Sequence, residues 1–177
     1  KHGEIGSEIR QMLRADPGHV IMEVDMSQAE ARVVAVLSCD WELLNMFGKI
    51  DIHKMTAGWI FATAEKNIVG DQRFCGKTTR HAGNYNMGKN RCMHLINTLA
   101  EKFGMDLKIS EWKAGQFLER FHDNSPKIRG IFHAEVGQAL ENNNLPLVTP
   151  KGRIRQFGNK WGDELFKEAY AQIPQST

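Results

Sequence analysis

Cysteine is scarce in this 177-residue chain and occurs only at Cys39, Cys75 and Cys92. The number is odd, the spacing is wide and no two of them form a Cys-x-x-Cys pair. This pattern argues against a disulfide framework and against a zinc knuckle. It is typical instead of a protein from a reducing compartment.

Long hydrophobic runs are also missing. No apolar stretch approaches the roughly 18 residues that a membrane-spanning helix needs, which excludes the class of integral helical membrane proteins. No basic segment leads into an apolar one near the start, so no secretory signal is predicted. The composition, with 41% hydrophobic residues, is that of a soluble globular chain with one core. Because the first residue is Lys1 rather than Met, we expect a processed chain or a piece of a longer one.

Neither sign of charge is in excess, since 23 Lys and Arg face 21 Asp and Glu for a net charge of +2. The distribution is uneven, however. The stretch from Lys66 to His94 contains six Lys or Arg and a single acid, Asp71. A local basic stretch in a nearly neutral chain indicates either a phosphate-binding surface or a solvated helix face, and charge alone leaves both open.

The first part of the chain is predicted to be a strand followed by a helix. Residues 19–25 are mostly apolar and follow a Pro-Gly turn signal, which predicts a buried strand that ends at Asp25. Ser27 and Glu30 have the spacing of a capping box, so a helix is expected to begin at Ser27 and run to Leu37. Asp25 would then lie at the carboxyl end of a strand, where open α/β sheets place functional groups.

The rest of the chain is predicted to be helical, apart from one hairpin. Helices are expected at 42–48, 52–64, 71–87 with Asp71 as N-cap, 91–103, 110–122 and 126–141. Residues 147–149 and 153–157 flank Pro150-Lys151-Gly152, which predicts a β-hairpin, and a last helix is expected at 163–171. The fold class is therefore α+β and mostly helical. The two ends of the chain are expected to share one layer, from which the helical middle projects.

Two groups of residues have the chemistry of a site. Asp25, at the head of the sequence Asp-Met-Ser-Gln-Ala-Glu-Ala-Arg, could hold a divalent metal through a carboxylate oxygen, or could be only a turn residue before a capping box. Arg73, Lys77, His81 and Tyr85 recur every four residues and form a stripe about 18 Å long on the 71–87 helix. Cations at the helix N-terminus followed by rings suit a nucleoside triphosphate, whose phosphates would lie near Arg73 and Lys77. An exposed basic helix face is the alternative.

Taken in order, these segments resemble the family A DNA polymerases, the DNA polymerase I group. Residues 25–32 resemble motif A, Asp-x-Ser-Gln-x-Glu-x-Arg, and residues 73–88, RFCGKTTRHAGNYNMG, resemble motif B on the long fingers helix. Residues 51–61, DIHKMTAGWIF, are similar to the start of the next fingers helix. The hairpin TPKGRIRQF and the ending EAYAQIPQST are similar to the palm segment that leads to motif C. Each motif is moderately specific, four in the right order make a strong signal, and the resemblance covers essentially the whole chain.

The resemblance implies a partial polymerase palm at 1–38 and 146–177, with an inserted helical fingers subdomain at 39–145. It implies template-directed DNA synthesis, in which a deoxynucleotide is transferred to a primer 3′ end by two-metal-ion catalysis within a longer or split polymerase. The expected cofactor is a pair of Mg²⁺ ions. The expected partners are primer-template DNA, a dNTP and the remaining polymerase segments, with no membrane, in the cytoplasm of a bacterial or phage-infected cell. The alternatives are a non-catalytic nucleotide- or DNA-binding fragment, an RNA polymerase of the same family, and a helical scaffold whose motifs are accidental.

The resemblance also implies roles residue by residue. Asp25 resembles the carboxylate that holds both magnesium ions, and Met26 would offer its backbone carbonyl to one of them. Glu30 resembles the steric gate that closes over the sugar. Lys77 resembles a catalytic proton donor to pyrophosphate. The other implied contacts are with the nucleotide at Gln28, His53, Arg73, Lys77, His81 and Tyr85, and with DNA at Arg80, Asn84, Arg153 and Gln175, Tyr85 lying near the templating position.

The chain departs from the family pattern at three points. His81 stands where many members have Phe or Tyr, and a His at this position resembles some phage-type members. Asn86 replaces the usual Gly after the motif B tyrosine. The His-Asp-Glu turn of motif C, which carries the second metal carboxylate, is absent from these 177 residues. Because two-metal chemistry needs a pair of carboxylates, we expect the isolated chain to be inactive. We also expect it to expose apolar palm surfaces that favour association.

Overall fold

The structure, a computed structural model, describes residues 8–9, 11–141, 147–157 and 160–177. In these ranges the chain is mostly helical, and a two-stranded antiparallel sheet pairs Leu147 with Arg155 and Val148 with Ile154. The α+β class is therefore confirmed. The elements in order are α1 (Ala29–Leu37), α2 (Trp41–Met46), α3 (Ile52–Phe61), a 3₁₀ turn (Glu65–Asn67), α4 (Gly70–Asn84), α5 (Lys89–Lys102), α6 (Glu111–Asn124), a π-helical segment (Ile128–His133), α7 (Ala134–Glu141), β1 (Leu147–Val148), β2 (Ile154–Arg155) and α8 (Gly162–Ser176).

Local sequence signals place several helix ends correctly. The Asp51 carboxylate caps α3 by accepting hydrogen bonds from the backbone N–H groups of His53 and Lys54, at 3.0 and 3.1 Å. Ser110 caps α6 by accepting from the Lys113 N–H at 3.2 Å. Gly104 follows the end of α5 with φ of +67°, a left-handed conformation that glycine adopts without steric cost.

The strand predicted at 19–25 is wrong. Residues 19–26 have no regular secondary structure, and the side chains of Val20, Met22 and Val24 are 89%, 82% and 79% exposed. A strand is stable only with a neighbour to share its hydrogen bonds, and the described part of the chain brings none to this segment. Its apolar residues remain uncovered.

Two helix starts also differ from the prediction. Gln28, not Ser27, occupies the N-cap position of α1, with φ of +58° and no side-chain cap, so the expected capping box does not form. Helix α4 begins at Gly70 after the N-cap position Val69, which places Asp71 in its first turn. It ends at Asn84 because Asn86 adopts φ of +51°, a left-handed conformation that asparagine tolerates better than most residues with a side chain. Helix α8 is longer than predicted and continues through Pro174 to Ser176.

Helices α3 and α4 approach each other unusually closely at Gly76. A Cβ atom at this position would lie 2.4 Å from the His53 carbonyl oxygen and 2.7 Å from the Ala57 backbone nitrogen. Only a residue without a side chain permits this contact. It brings His53 on α3 beside Lys77, the residue that follows Gly76 on α4.

No helix in the described ranges is both long and apolar enough to cross a membrane.

The core also buries two histidines whose rings lie 5.9 Å apart, His122 on α6 and His133 in the π-helical segment. His133 Nε2 lies 2.9 Å from the carbonyl oxygen of Asn84 and, as donor, ties the end of α4 to the π-helical segment. Burial, together with the positive charge of Arg129, lowers the pKa of each histidine to about 4. Both rings are therefore neutral in the folded protein at pH 7.

These histidines predict a loss of stability in acid. In the unfolded chain both histidines bind a proton below their ordinary pKa of 6.5. In the folded chain they do so only below about pH 4. The free energy of unfolding therefore falls as the pH drops from 6.5 to 4, by on the order of 3 kcal/mol for each histidine. Urea denaturation at pH 7 and pH 4.5 measures the fall. His122→Phe should reduce it, and an identical fall in that variant would contradict the assignment.

Candidate functional site

An open cleft of about 580 Å³ lies between the start of α1 and one face of α4. Residues from three separate parts of the chain line it, although they are distant in sequence. They are Asp25, Met26, Ser27, Gln28, Ala29, Glu30 and Ala31 before and within α1, His53 on α3, and Lys77, Arg80, His81 and Asn84 on α4. Most of the residues singled out from the sequence thus line one cavity, which we call the cleft.

His53 lies in the wall of the cleft, partly buried, and no partner for its Nδ1 atom is present among the described residues. Burial, together with the positive charges of Arg73, Arg80 and Lys77, lowers the pKa of His53 to about 4, and the Asp51 carboxylate opposes this shift. A neutral imidazole surrounded by three cations marks a positive environment. Such an environment attracts an anionic ligand.

Arg80 is a buried cation at the inner end of the cleft, only 2% exposed. Its Nε donates a hydrogen bond to Thr56 Oγ1 at 2.7 Å, and its guanidinium carbon lies 5.5 Å from the centre of the Trp59 ring and 5.4 Å from that of Phe121. Neither Nη atom has a partner in the described ranges. Burial lowers the pKa of Arg80 to about 10, with Asp40 opposing the shift, so the side chain stays charged at neutral pH.

Glu30 and Tyr85 form a direct link between α1 and the end of α4. The Tyr85 hydroxyl donates a hydrogen bond to Glu30 Oε2, and the His81 ring meets the Tyr85 ring edge to face with centres 4.7 Å apart. Burial, and then the hydrogen bond to Glu30, raises the pKa of Tyr85. The Glu30 carboxylate, which the sequence predicted to form a capping box with Ser27, is therefore bonded to Tyr85 instead.

Arg73 does not line the cleft but is linked to the lining residue His53 through Asp51, which accepts hydrogen bonds from both. Its Nε donates to Asp51 Oδ2 at 2.7 Å. Partial burial acts to raise the pKa of Asp51, but the Arg73 hydrogen bond and the N–H groups of Lys54 and His53 outweigh it and lower that pKa. Asp51 is therefore ionised at neutral pH.

A second cavity, a groove of about 510 Å³, borders the other side of His81 and Tyr85. In this groove Gln175 of α8 lies next to Tyr85. The resemblance implied that Gln175 contacts DNA and that Tyr85 lies near the templating position, so both were expected on one surface. Its lining also includes Lys89, Arg91 and Lys167. Sequence reasoning missed these three cations as site residues. Lys89 and Arg91 belong to the basic stretch from Lys66 to His94, which was the available signal, whereas Lys167 comes close only through folding.

Arg153 lines neither of these two cavities. It is exposed in the loop between β1 and β2. The DNA contact that the resemblance implied for it stays a prediction.

A two-magnesium site is not complete in the described part of the chain. Within it, no group of three His, Cys, Asp or Glu side chains is placed to hold one metal ion. Asp25 contributes a carboxylate to the cleft, but the Glu30 carboxylate is engaged by Tyr85. Since Mg²⁺ is bound through one or two carboxylates together with substrate oxygens and water, the residues present fit one half of such a site.

Known proteins match this chain over most of its length. The family model for DNA polymerase family A matches residues 1–168. The thermostable DNA polymerase I of Thermus filiformis is 34% identical over 127 residues, which are 71% of this chain and 14% of that protein. DNA polymerase I of Treponema pallidum is 33% identical over 153 residues, 86% of this chain and 14% of that protein. The chain thus spans about 14% of the length of these relatives.

A solved structure shares the fold. It is the POL domain of Pol1 from M. smegmatis in complex with DNA primer-template and dNTP, with a TM-score of 0.60 and 21% sequence identity. The match covers 86% of this chain and 25% of that one.

Proposed function

This chain belongs to DNA polymerase family A, and from that membership we propose that it forms the nucleotide-binding part of a longer enzyme that synthesises DNA on a template. The observation that carries the proposal is the cleft, which gathers Asp25, Glu30, His53 and Lys77 from three parts of the chain. Phosphoryl transfer depends mainly on charge neutralisation and alignment of the substrate. A cavity lined by the carboxylates of Asp25 and Glu30 and by the cations Lys77 and Arg80 suits that task.

Different residues would contact different parts of a bound dNTP. Lys77 in the cleft and Arg73 next to it neutralise the triphosphate, and neutral His53 donates or accepts one hydrogen bond with it. Glu30, held in place by Tyr85, faces the sugar and excludes a 2′-hydroxyl. Magnesium ions, when bound, supply charge neutralisation at the reacting phosphate. Asp25 and the Met26 carbonyl would be their ligands here, with the second carboxylate contributed from outside these 177 residues.

The groove beside Tyr85 is the proposed contact for primer-template DNA. Arg91 and Lys167 provide positive charge for the phosphate backbone, together with Lys89, which is paired with Glu111 at 3.4 Å, and Gln175 offers an amide to a base edge. Binding that depends on such contacts weakens steeply with salt. We also propose that the longer enzyme is cytoplasmic and that it resembles the phage-type members of the family.

The exposed apolar segment at 20–24 supports the idea of a larger assembly. Val20, Met22 and Val24 form an uncovered apolar surface directly before Asp25. Surfaces of this kind in a folded protein are usually covered by another chain or segment. A further part of the polymerase is the proposed cover.

A non-catalytic role in nucleotide or DNA binding is the second candidate. The incomplete set of metal ligands in the described residues favours it. In its nucleotide-binding form this candidate also requires the cleft to bind a nucleotide, and it then differs from the first only in whether Asp25 takes part in chemistry.

Nucleotide binding tests the shared part of the proposal. Isothermal titration of dATP in magnesium buffer should give measurable binding to the unaltered chain. Lys77→Gln should weaken that binding about tenfold or more, because a charge-assisted hydrogen bond to phosphate is lost. Lys102→Gln, the same change of charge on α5 away from both cavities, should have little effect. Equal affinity in the two variants would contradict the assignment of the cleft.

A further inference from the structure

Asp51 uses its two carboxylate oxygens on two different helices. Oδ1 accepts from the N–H groups of His53 and Lys54 and so fixes the start of α3. Oδ2 accepts from Nε of Arg73 in the first turn of α4. One side chain therefore sets both the position of His53 and the direction of the Arg73 guanidinium.

The contact leaves the binding face of Arg73 open. Only Nε is bonded to Asp51, and no hydrogen bond to either Nη atom is present among the described residues. The side chain remains 42% exposed, so a ligand can reach it. A planar guanidinium held through Nε presents its two Nη groups as a fixed fork, the geometry that matches a phosphate.

We propose that Asp51 is a positioning residue for triphosphate binding, which acts by holding the Arg73 guanidinium beside His53 so that it can reach the phosphates of a nucleotide in the cleft. The inference rests on the proposed function and adds a residue that no motif resemblance assigned to it. By electrostatics alone, the negative charge of Asp51 beside a phosphate site would repel the ligand and weaken its binding. Positioning and repulsion therefore predict effects of opposite sign when the charge is removed.

Asp51→Asn separates the two effects. Asparagine is as good an N-cap as aspartate, so its amide oxygen can keep the bonds to the start of α3. Its NH₂ group then faces Arg73 Nε, and two donors cannot bond. The variant releases Arg73 and removes one negative charge, while the fold is preserved.

The test measures the affinity of inorganic tripolyphosphate and of dATP for the unaltered chain and its variants by isothermal titration, with urea denaturation to confirm folding. Asp51→Asn should weaken both ligands about 3- to 10-fold in spite of the lost negative charge. Asp71→Asn is the matched control, because Asp71 is an exposed acid of the same helical turn with no ion pair in the described ranges. That variant should bind equally well or more tightly.

A double-mutant cycle identifies the route of the effect. In an Arg73→Gln background, Asp51→Asn should cause no further loss, since the residue that it positions is already gone. Tighter binding by Asp51→Asn alone, or an equal loss in both backgrounds, would overturn the inference while the proposed function stands. Failure of the unaltered chain to bind either ligand would overturn the proposed function and the inference with it.

Discussion

Gly76→Ala is expected to destabilise the protein by about 1–3 kcal/mol or more and to abolish nucleotide binding by the cleft. The added Cβ would meet the His53 carbonyl oxygen at 2.4 Å and the Ala57 nitrogen at 2.7 Å, and both are backbone atoms. No side-chain rotation relieves such a clash, so α3 and α4 must move apart. His53 would then leave the neighbourhood of Lys77, and the charge arrangement of the cleft would be lost.

Gly115→Ala is the matched control on α6. Its Cβ would lie 3.6 Å from Lys89 Cδ, an ordinary contact, and the residue is within a helix. That change should stabilise the protein by about 0.5–1 kcal/mol, because alanine loses less backbone entropy than glycine on folding. Urea denaturation and dATP titration measure both variants. Unchanged stability of Gly76→Ala would show that the two helices do not pack at this glycine.

Features that depend on neighbouring residues could be predicted from the sequence. The caps at Asp51 and Ser110 and the glycine after α5 act within one helical turn, so their residue types are sufficient signals. The hairpin at 147–155 was predicted for the same reason, since a Pro-Lys-Gly turn determines it locally. The four-residue spacing of the stripe on α4 likewise placed Lys77 and His81 in one wall of the cleft.

Features that depend on distant contacts could not be predicted in this way. A capping box and a bond to Tyr85 compete for the Glu30 carboxylate, and only the fold brings Tyr85 near enough to prevail. The segment at 19–25 has the composition of a strand but lacks a described partner strand, so its propensity alone does not produce one. The pairing of Asp51 with Arg73 and the approach of Lys167 to the groove likewise join residues that no local pattern connects.

The second large effect concerns Asp25. Its carboxylate lies in the cleft with Lys77 and His53, and in the described residues no group of three metal-binding side chains forms around it. A reaction that needs two metal ions depends on each carboxylate that holds them. Asp25→Ala should therefore eliminate primer extension by an assembled enzyme, and the 177 residues alone should extend no primer.

Primer extension is the measurement that tests this most directly. The chain would be assayed with magnesium, dNTPs and a primed template, first alone and then with a polypeptide that supplies the His-Asp-Glu turn. Asp16→Ala, at an exposed position of the same segment, is the matched control for Asp25→Ala. The proposal predicts extension only in the mixture, lost with Asp25→Ala and kept with Asp16→Ala. Full extension by the isolated chain, or by the mixture that carries Asp25→Ala, would contradict it. Intact dATP binding without extension in any mixture would instead identify a binding fragment.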